Sequence, residues 1–506
     1  MRRYSLVIIV TIWIVAGCTL QPVEQEVGVI DDQRIDNFYS VEDVPLPEGL
    51  TAEIGGMDFM PDGRMIVCFH RGEVMTYDPR EKTWELFAEG LHDPLGILAL
   101  NNWEVLVMQR PELTRLVDND NDGEAEEYLV ATDDFGISGN YHEFAYGPAY
   151  NGKDLYIALN CASKNAGIWD EVRGETNMLG EVAGMYSAVE YRGWVMKLRE
   201  DGVLEPVASG FRSPDGIGFD LEGNLFVTDN QGDWLGTSKL YHIEEGNFYG
   251  QISSLVWRED WNGDPEATPV STLDSMRTRA AVLFPHNIMS NSPTQPLVIP
   301  ENSNFEPFAG QLLVGEMDFP RIMRVMLEKV NGKFQGACTS FIDSAGLSIG
   351  NHRMVFDPEG NLWVGKSAYV WVGDQGIQRI RYNGGMPMDV LQMNVTPQGF
   401  KLTFTRPVDR KMAEKPDNYQ FSRYYYAYHQ KYGSPRMDEQ SVAVKEVQVS
   451  EDGKEVLLTL AEMNPGYVYD LQIDQLNSMK GVALKNRRLF YTLNEVPTNQ
   501  TALSSR

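Results

Sequence analysis

The chain carries 72 acidic against 43 basic side chains over 506 residues, a formal charge of −29. So acidic a surface repels nucleic acid and anionic lipid headgroups, which excludes a nucleic-acid partner, and the length calls for more than one domain or one long repeat domain. The four cysteines include no CxxCH, which excludes covalent c-type haem.

Residues 1–18 read as a targeting segment. Arg2 and Arg3 precede an apolar run, Leu6 to Val15, that is too short to span a bilayer. The run ends in Val15-Ala16-Gly17-Cys18, which resembles a bacterial lipobox in which Cys18 is lipidated and becomes the mature N-terminus; the alternative is an uncleaved anchor. Either way the body is exported and tethered to a membrane. Thr19 stands where an inner-membrane retention signal has Asp, so by resemblance to Gram-negative sorting rules the expected location is the outer membrane, at its periplasmic face or the cell surface. Residues 19–45 are acidic and unpatterned and read as a tether.

From 46 to 385 one phrase recurs. Its fullest form is Gly210 to Asn230, GFRSPDGIGFDLEGNLFVTDN: a strand, a Glu222-Gly223-Asn224 turn, and a second strand running out to Thr228-Asp229-Asn230. Further copies start at Gly56, Gly96, Glu143, Ala309 and Arg353, and Gly193 to Leu198 reads as a shorter following strand. Short antiparallel strands repeated in this way suggest a propeller, whose blades bury their faces only against one another; an irregular β-sandwich array is the alternative. The expected fold is all-β, a six-bladed β-propeller followed by a smaller domain. Two wide gaps, 162–192 and 233–300, hold Trp169, Trp234, Trp257 and Trp261 and read as insertions, either a wall around the channel or plain loops. Cys68, Cys161 and Cys338 fall in or beside strands, as one disulfide and a thiol or as three buried thiols.

After Gly384-Gly385 the phrase stops and alternating strands take over, at 399–404, 442–447, 455–460 and 467–471, with a hairpin turn at 450–454. Residues 386–495 suit a small immunoglobulin-like β-sandwich, and 496–506 a tail. Nothing in these strands looks catalytic. Tyr424, Tyr425, Tyr426 and Tyr428 serve cross-strand packing or an aromatic contact surface.

Three groups of residues carry chemistry. Asp118-Asn119-Asp120-Asn121-Asp122-Gly123-Glu124 alternates carboxylates around a glycine turn, which places hard oxygens at a spacing Ca²⁺ prefers; position twelve is Leu129, so the run is not an EF-hand, and Glu126 or Glu127 is a further candidate ligand. Asp118, Asp120, Asp122 and Glu124 are the expected metal ligands; the alternative is an acidic turn. His142, ahead of the third copy, sits at a strand start on the rim, where an exposed imidazole serves as a general base or as a structural residue. The third group is Arg212 with Asp215, then Asp229 with Asn230, then His352 with Arg353; if the copies are blades, these side chains converge on one mouth or remain plain surface charges.

The histidine before the third copy, GFRSPDGIGFDLEGNLFVTDN, the following Gly246-Asn247-Phe248-Tyr249-Gly250 and Arg353 before FDPEGNLWVG together resemble the glucose/sorbosone dehydrogenase family over about residues 45–385. The resemblance implies six blades, pyrroloquinoline quinone with Ca²⁺, and a sugar or polyol substrate. It makes His142 the base that takes the hydroxyl proton as hydride passes to the quinone, and Arg212 the cation near the reactive carbonyl. It puts Arg353 among the cofactor's carboxylate partners, beside the rim pair Asp229 and Asn230. Ser213 replaces the family's usual Asn, and the turn near the second copy reads His92-Asp93-Pro94 in place of a glutamine-bearing one. Three functions are consistent with the residues: a quinone-dependent sugar dehydrogenase, a non-catalytic lipoprotein whose channel binds a glycan or a protein, and a calcium-dependent lactonase.

Overall fold

A computed structural model describes residues 38–164, 172–344, 346–368 and 372–498. Cys18, Trp169 and most of the tether and tail lie outside the described residues. Six four-stranded antiparallel blades follow one another along the chain, five as separate sheets and the fifth as half of an eight-stranded sheet. Blade one is built from Ile54–Phe59, Met65–Phe69, Val74–Asp78 and Thr83–Ala88, and blade two from Gly96–Ala99, Glu104–Met108, Leu113–Val117 and Glu127–Thr132. Blade three holds Ala145–Tyr150, Leu155–Leu159, Trp194–Leu198 and Leu204–Ser209, and blade four Gly216–Phe219, Leu225–Asp229, Ser238–His242 and Val282–Phe284. Blade five comprises Pro293–Val298, Leu312–Glu316, Arg321–Val330 and Lys333–Asp343. In blade six, Asn351–Phe356, Leu362–Lys366 and Gly376–Tyr382 are completed by Tyr39–Asp43 from the start of the described chain, which pairs from Tyr39 opposite Tyr382 to Asp43 opposite Gln378.

The first strand of each blade contacts the first strands of both neighbours, and the sixth meets the first, so the ring is closed. That closure explains the glycines in the first strands of blades one, two and four. A Cβ on Gly96 would run into the carbonyl of Gly147 in the next blade, and one on Gly216 into the backbone of Gln295. Four of the six second strands, Met65–Phe69 and Leu225–Asp229 among them, are buried at every position because neighbouring blades cover both faces, and those of blades two and three lose burial only at their first residues. They therefore read as continuous apolar runs, whereas the outermost strand of blade two, Glu127–Thr132, is largely exposed. Between blades one and two, Ile66, Cys68, Val105 and Val107 interdigitate in one cluster.

All six copies of the phrase fall on blades. The gap 233–300 is not one insertion: it contains Ser238–His242, Val282–Phe284 and Pro293–Val298, hidden in the sequence by their short lengths and, in the last, by Pro293 and Pro296. The true additions are a three-stranded patch within 162–186 and the segment 243–281 with its two short helices, Ile252–Trp257 and Val270–Met276. They meet where the Trp257 indole donates to the Ser187 carbonyl at 2.7 Å. Cys68, Cys161 and Cys338 are free, buried thiols.

Beyond residue 386 two further sheets form. Val390–Thr396, Gly399–Phe404, Glu455–Leu460 and Val444–Val449 make one. Arg488–Leu493, Tyr467–Ile473, Tyr419–Tyr426 and Arg436–Val442 make the other, which continues blade five because Cys338 pairs with Phe490. The strand expected at 442–447 is broken at Ala443 and divided between the two sheets. Phe400 and Phe421 stack at 5.7 Å in the core they share. Of the tyrosines, Tyr424 is buried in packing, while Tyr428 crosses to the propeller and donates to the Gly250 carbonyl at 2.8 Å.

Candidate active site

Antiparallel blades place the loops that enter their first strands, and those that join second to third strands, on one face. On that face a cavity of about 360 Å³ opens over the propeller axis. Four of the chain's seven histidines line it, His70, His142, His286 and His352, together with Arg212. Aromatic faces come from Tyr141, Phe144, Tyr146 and Tyr432, and hydrogen-bonding groups from Asn230, Gln231, Ser292 and Asp318.

His142 is held from several sides. The Asn140 side-chain carbonyl accepts the His142 amide at 3.0 Å, and Arg110 donates to the carbonyls of Asn140 and Tyr141 at 3.1 and 2.6 Å. Arg110 is itself fixed by Asp93 at 2.8 Å and lies over the Phe144 ring. The imidazole Nδ1 is 2.8 Å from the Cys161 carbonyl. A carbonyl only accepts, so Nδ1 carries the proton and Nε2 keeps its lone pair on the cavity side. Burial, and then the Arg212 charge, push this histidine down to about 4, so it is neutral at ordinary pH and its Nε2 is free to accept a proton.

Arg212 reaches the cavity because Asp229 brackets its loop: the two carboxylate oxygens accept the amides of Arg212 and Ser213 at 2.9 and 2.8 Å. Asp229 is thus a buried support, not a ligand-facing group, which corrects the expectation for it. Glu316 plays the same part in blade five, accepting the amides of Asn291 and Ser292. Asn230 does line the cavity and donates to Ser292 Oγ at 3.2 Å. The Arg212 Nε is 3.4 Å from Asp233, and its guanidinium lies 5.4 Å from the Tyr432 ring.

Arg353 does not join them. It lies under the cavity floor, where Nε donates to the Gly55 carbonyl at 3.0 Å and the two terminal nitrogens to Asp215, His352 and Leu95. Its charge is matched by Asp215 at 3.3 Å. The floor also holds His352, whose Nδ1 and Nε2 face the Ile54 carbonyl and Asp215 at 2.7 and 3.1 Å.

Sequence reasoning missed Tyr432, which belongs to the second domain. The loop between Tyr419–Tyr426 and Arg436–Val442 reaches across the mouth and is tied to blade four by Gly433 N to the Gly232 carbonyl and Ser434 N to the Gly236 carbonyl, both at 2.9 Å. Tyr432 itself is 64% exposed. Among the described residues the cover over the cavity comes chiefly from this loop, and of the described part of the 162–192 insertion Ser163 alone lines the space. The only signal in the sequence was an aromatic beside a glycine in a polar loop.

The acidic run lies elsewhere. It joins the third and fourth strands of blade two, on the face opposite the cavity. Oxygens of Asp118, Asp120, Asp122 and Glu126 come within 4.8 Å of one another. Glu124 is not among them, which corrects the expected fourth ligand; its amide instead donates to Asp122 at 2.9 Å. Gly123, at φ +101°, makes the turn that brings its amide back to Asp118. None of these four residues lines the cavity, so a cation held by them would brace the loop alone.

Six blades closed around an axis, with a polar and aromatic cavity at one mouth, define a β-propeller with an open cavity over its channel. The chain belongs to the family described as a domain of unknown function (DUF7133), whose model matches residues 73–366. Leucine-rich glioma-inactivated protein 1 of Homo sapiens is 23% identical over 263 residues, 48% of this chain and 41% of that protein, so the chain spans about two fifths of that relative's length. An oxidoreductase of Thermus thermophilus, provisionally described as a glucose dehydrogenase, aligns at 19% identity and a TM-score of 0.47 over 68% of this chain and 100% of its own. The PQQ-bound aldose sugar dehydrogenase of Streptomyces coelicolor aligns at 14% identity and a TM-score of 0.46, over 68% of this chain and 98% of its own.

Proposed function

We propose that this chain acts on carbohydrate: the channel cavity holds a sugar or polyol, and His142 takes the proton from one of its hydroxyls. The observation that carries this reading is the His142 tautomer, with Nδ1 tied to the Cys161 carbonyl and an unprotonated Nε2 on the cavity side. Arg212 stands beside it as the cation that stabilises a developing alkoxide. Aromatic rings and amide side chains on the same walls suit a ring with polar edges and apolar faces. These residues supply proton removal from a C–OH; oxidising that carbon also transfers a hydride, for which the described lining side chains provide no acceptor, so a redox cofactor or the added dye must take it.

Pyrroloquinoline quinone, the cofactor bound in the Streptomyces coelicolor enzyme, does not fit this cavity's charge. A tricarboxylate needs several unpaired cations, yet Arg212 is shared with Asp233, Arg353 is consumed by Asp215 beneath the floor, and Asp215 and Asp318 line the space. The same shortage of cations favours a second reading, a glycan-binding propeller without redox chemistry. Calcium fits the acidic loop as a brace. Lipidation at Cys18 would hold the propeller at the outer membrane, a reading supported by the lipobox-like Val15-Ala16-Gly17-Cys18.

The test is calorimetric titration of the purified protein with a panel of mono- and oligosaccharides, and separately with the quinone, alongside dye reduction with each sugar. Sugar binding with dye reduction that His142→Gln abolishes supports oxidation. Binding without dye reduction selects the glycan-binding reading. If no sugar in the panel gives heat while the quinone binds saturably, the carbohydrate reading is wrong.

A further inference from the structure

The geometry points to a binding site for a small oxyanion between blade four and the second domain, where Lys239, Arg277 and Arg279 line one cavity. This site is separate from the channel. Its other walls include Trp234 and Tyr241 from the propeller and Tyr428 and Asn494 from the second domain. In a chain of charge −29 it has three cations and, among its described lining residues, no Asp or Glu.

Lys239 lies on the third strand of blade four, opposite Asp229 in register, and is only 4% exposed. Its Nζ is buried and has no hydrogen-bond partner. A buried ammonium without a partner is costly, and so is a buried amine that leaves its hydrogens unpaired, so the group calls for an acceptor inside the cavity. Burial pushes this amine down to about 7, against the pull of Asp229, and Arg277 and Arg212 push it further. An anion beside it would restore the charged form.

The two arginines have charge to spare. Arg277 and Arg279 share the single carboxylate of Asp274, at 2.5 and 3.5 Å, and Arg277 is fixed over the Tyr428 ring at 4.6 Å. Most neutral groups of the wall are occupied elsewhere. Tyr428 donates to the Gly250 carbonyl, Asn494 to the Ala280 carbonyl, and Thr492 Oγ1 accepts the Leu283 amide. The Trp234 indole N–H, like Lys239 Nζ, is buried without an acceptor. What remains unmatched is donors and positive charge.

Size sets the ligand class. The cavity holds about 60 Å³, room for a group of a few heavy atoms such as sulfate, phosphate or a carboxylate, and too little for a sugar ring. Because the walls come from both domains, the bound anion would join blade four to the second domain close to the loop that carries Tyr432.

Thermal unfolding of the full-length protein in phosphate, sulfate or acetate, each against sodium chloride at equal ionic strength, tests the proposal. At about ten times the dissociation constant, phosphate or sulfate is expected to raise the midpoint by about 2 °C over chloride. If only acetate does so, the ligand is a carboxylate. Lys239→Met is expected to remove most of the increment. Arg279→Gln keeps the test decisive if that variant folds poorly, since the Arg279 side chain is 53% exposed and its loss spares the core; it is expected to weaken calorimetric phosphate binding about tenfold. Equal midpoints in all four salts, or an increment that survives both substitutions, overturns the proposal.

Discussion

Arg353 and Asp215 meet at 3.3 Å beneath the cavity floor, so the arginine that follows the last histidine of the channel braces the axis and faces no ligand. Its nitrogens reach carbonyls of Gly55 and Leu95, joining blade six to blade one and to the loop entering blade two.

Arg353→Met should therefore act on stability. It leaves the Asp215 carboxylate and the backbone carbonyls of Gly55, Leu95, Asp215 and His352 without this donor, at a cost of roughly 3 kcal/mol. A lowered urea midpoint with sugar affinity nearly unchanged is the expected outcome. A large loss of affinity at unchanged stability would return Arg353 to the ligand site.

His142 predicts a pH dependence with a definite sign. Its folded value of about 4 lies below the ordinary 6.5, so the unfolded chain binds the proton more readily between those values. Stability contributed by this group is complete above pH 6.5 and is lost as pH falls toward 4. His70, pushed well below its ordinary value by burial and by His352, adds in the same direction. In His142→Gln the slope of stability against pH over that window should shrink. Any base-dependent activity of the parent should stay level from about pH 8 to about pH 5, and Arg212→Gln should move its acid limb upward.

The acidic loop gives a test that separates brace from site. Calcium should raise the unfolding midpoint and Asp118→Asn should abolish the rise, whereas sugar binding should be unaffected by either, because the loop lies on the opposite face. Chelator-sensitive sugar binding would contradict this.

Tyr432 tests whether the second domain takes part in recognition. Tyr432→Ala should weaken sugar binding about fivefold, within the value of one aromatic contact, and Tyr432→Trp should restore it. The melting temperature should not change, since the ring is largely exposed. Equal affinity in the alanine variant would confine recognition to the propeller.

The repeat phrase was enough to identify the blades, because second strands covered on both faces must be apolar throughout and first strands packed around an axis need glycine where backbones touch. Residue order alone also marked His142 and Arg212, each placed just ahead of a first strand and so at the mouth. Three blade strands between 233 and 300 escaped notice because they are short and one of them, Pro293–Val298, carries two prolines. Whether a rim charge faces a ligand is decided by its neighbours in space: Asp229 turned out to hold a loop and Arg353 to hold the floor. Glu126 replaced Glu124 through the path of a turn, and Tyr432 reached the cavity from far along the chain beyond Arg212. Those partners come from distant parts of the chain, so only the tertiary structure could choose among them.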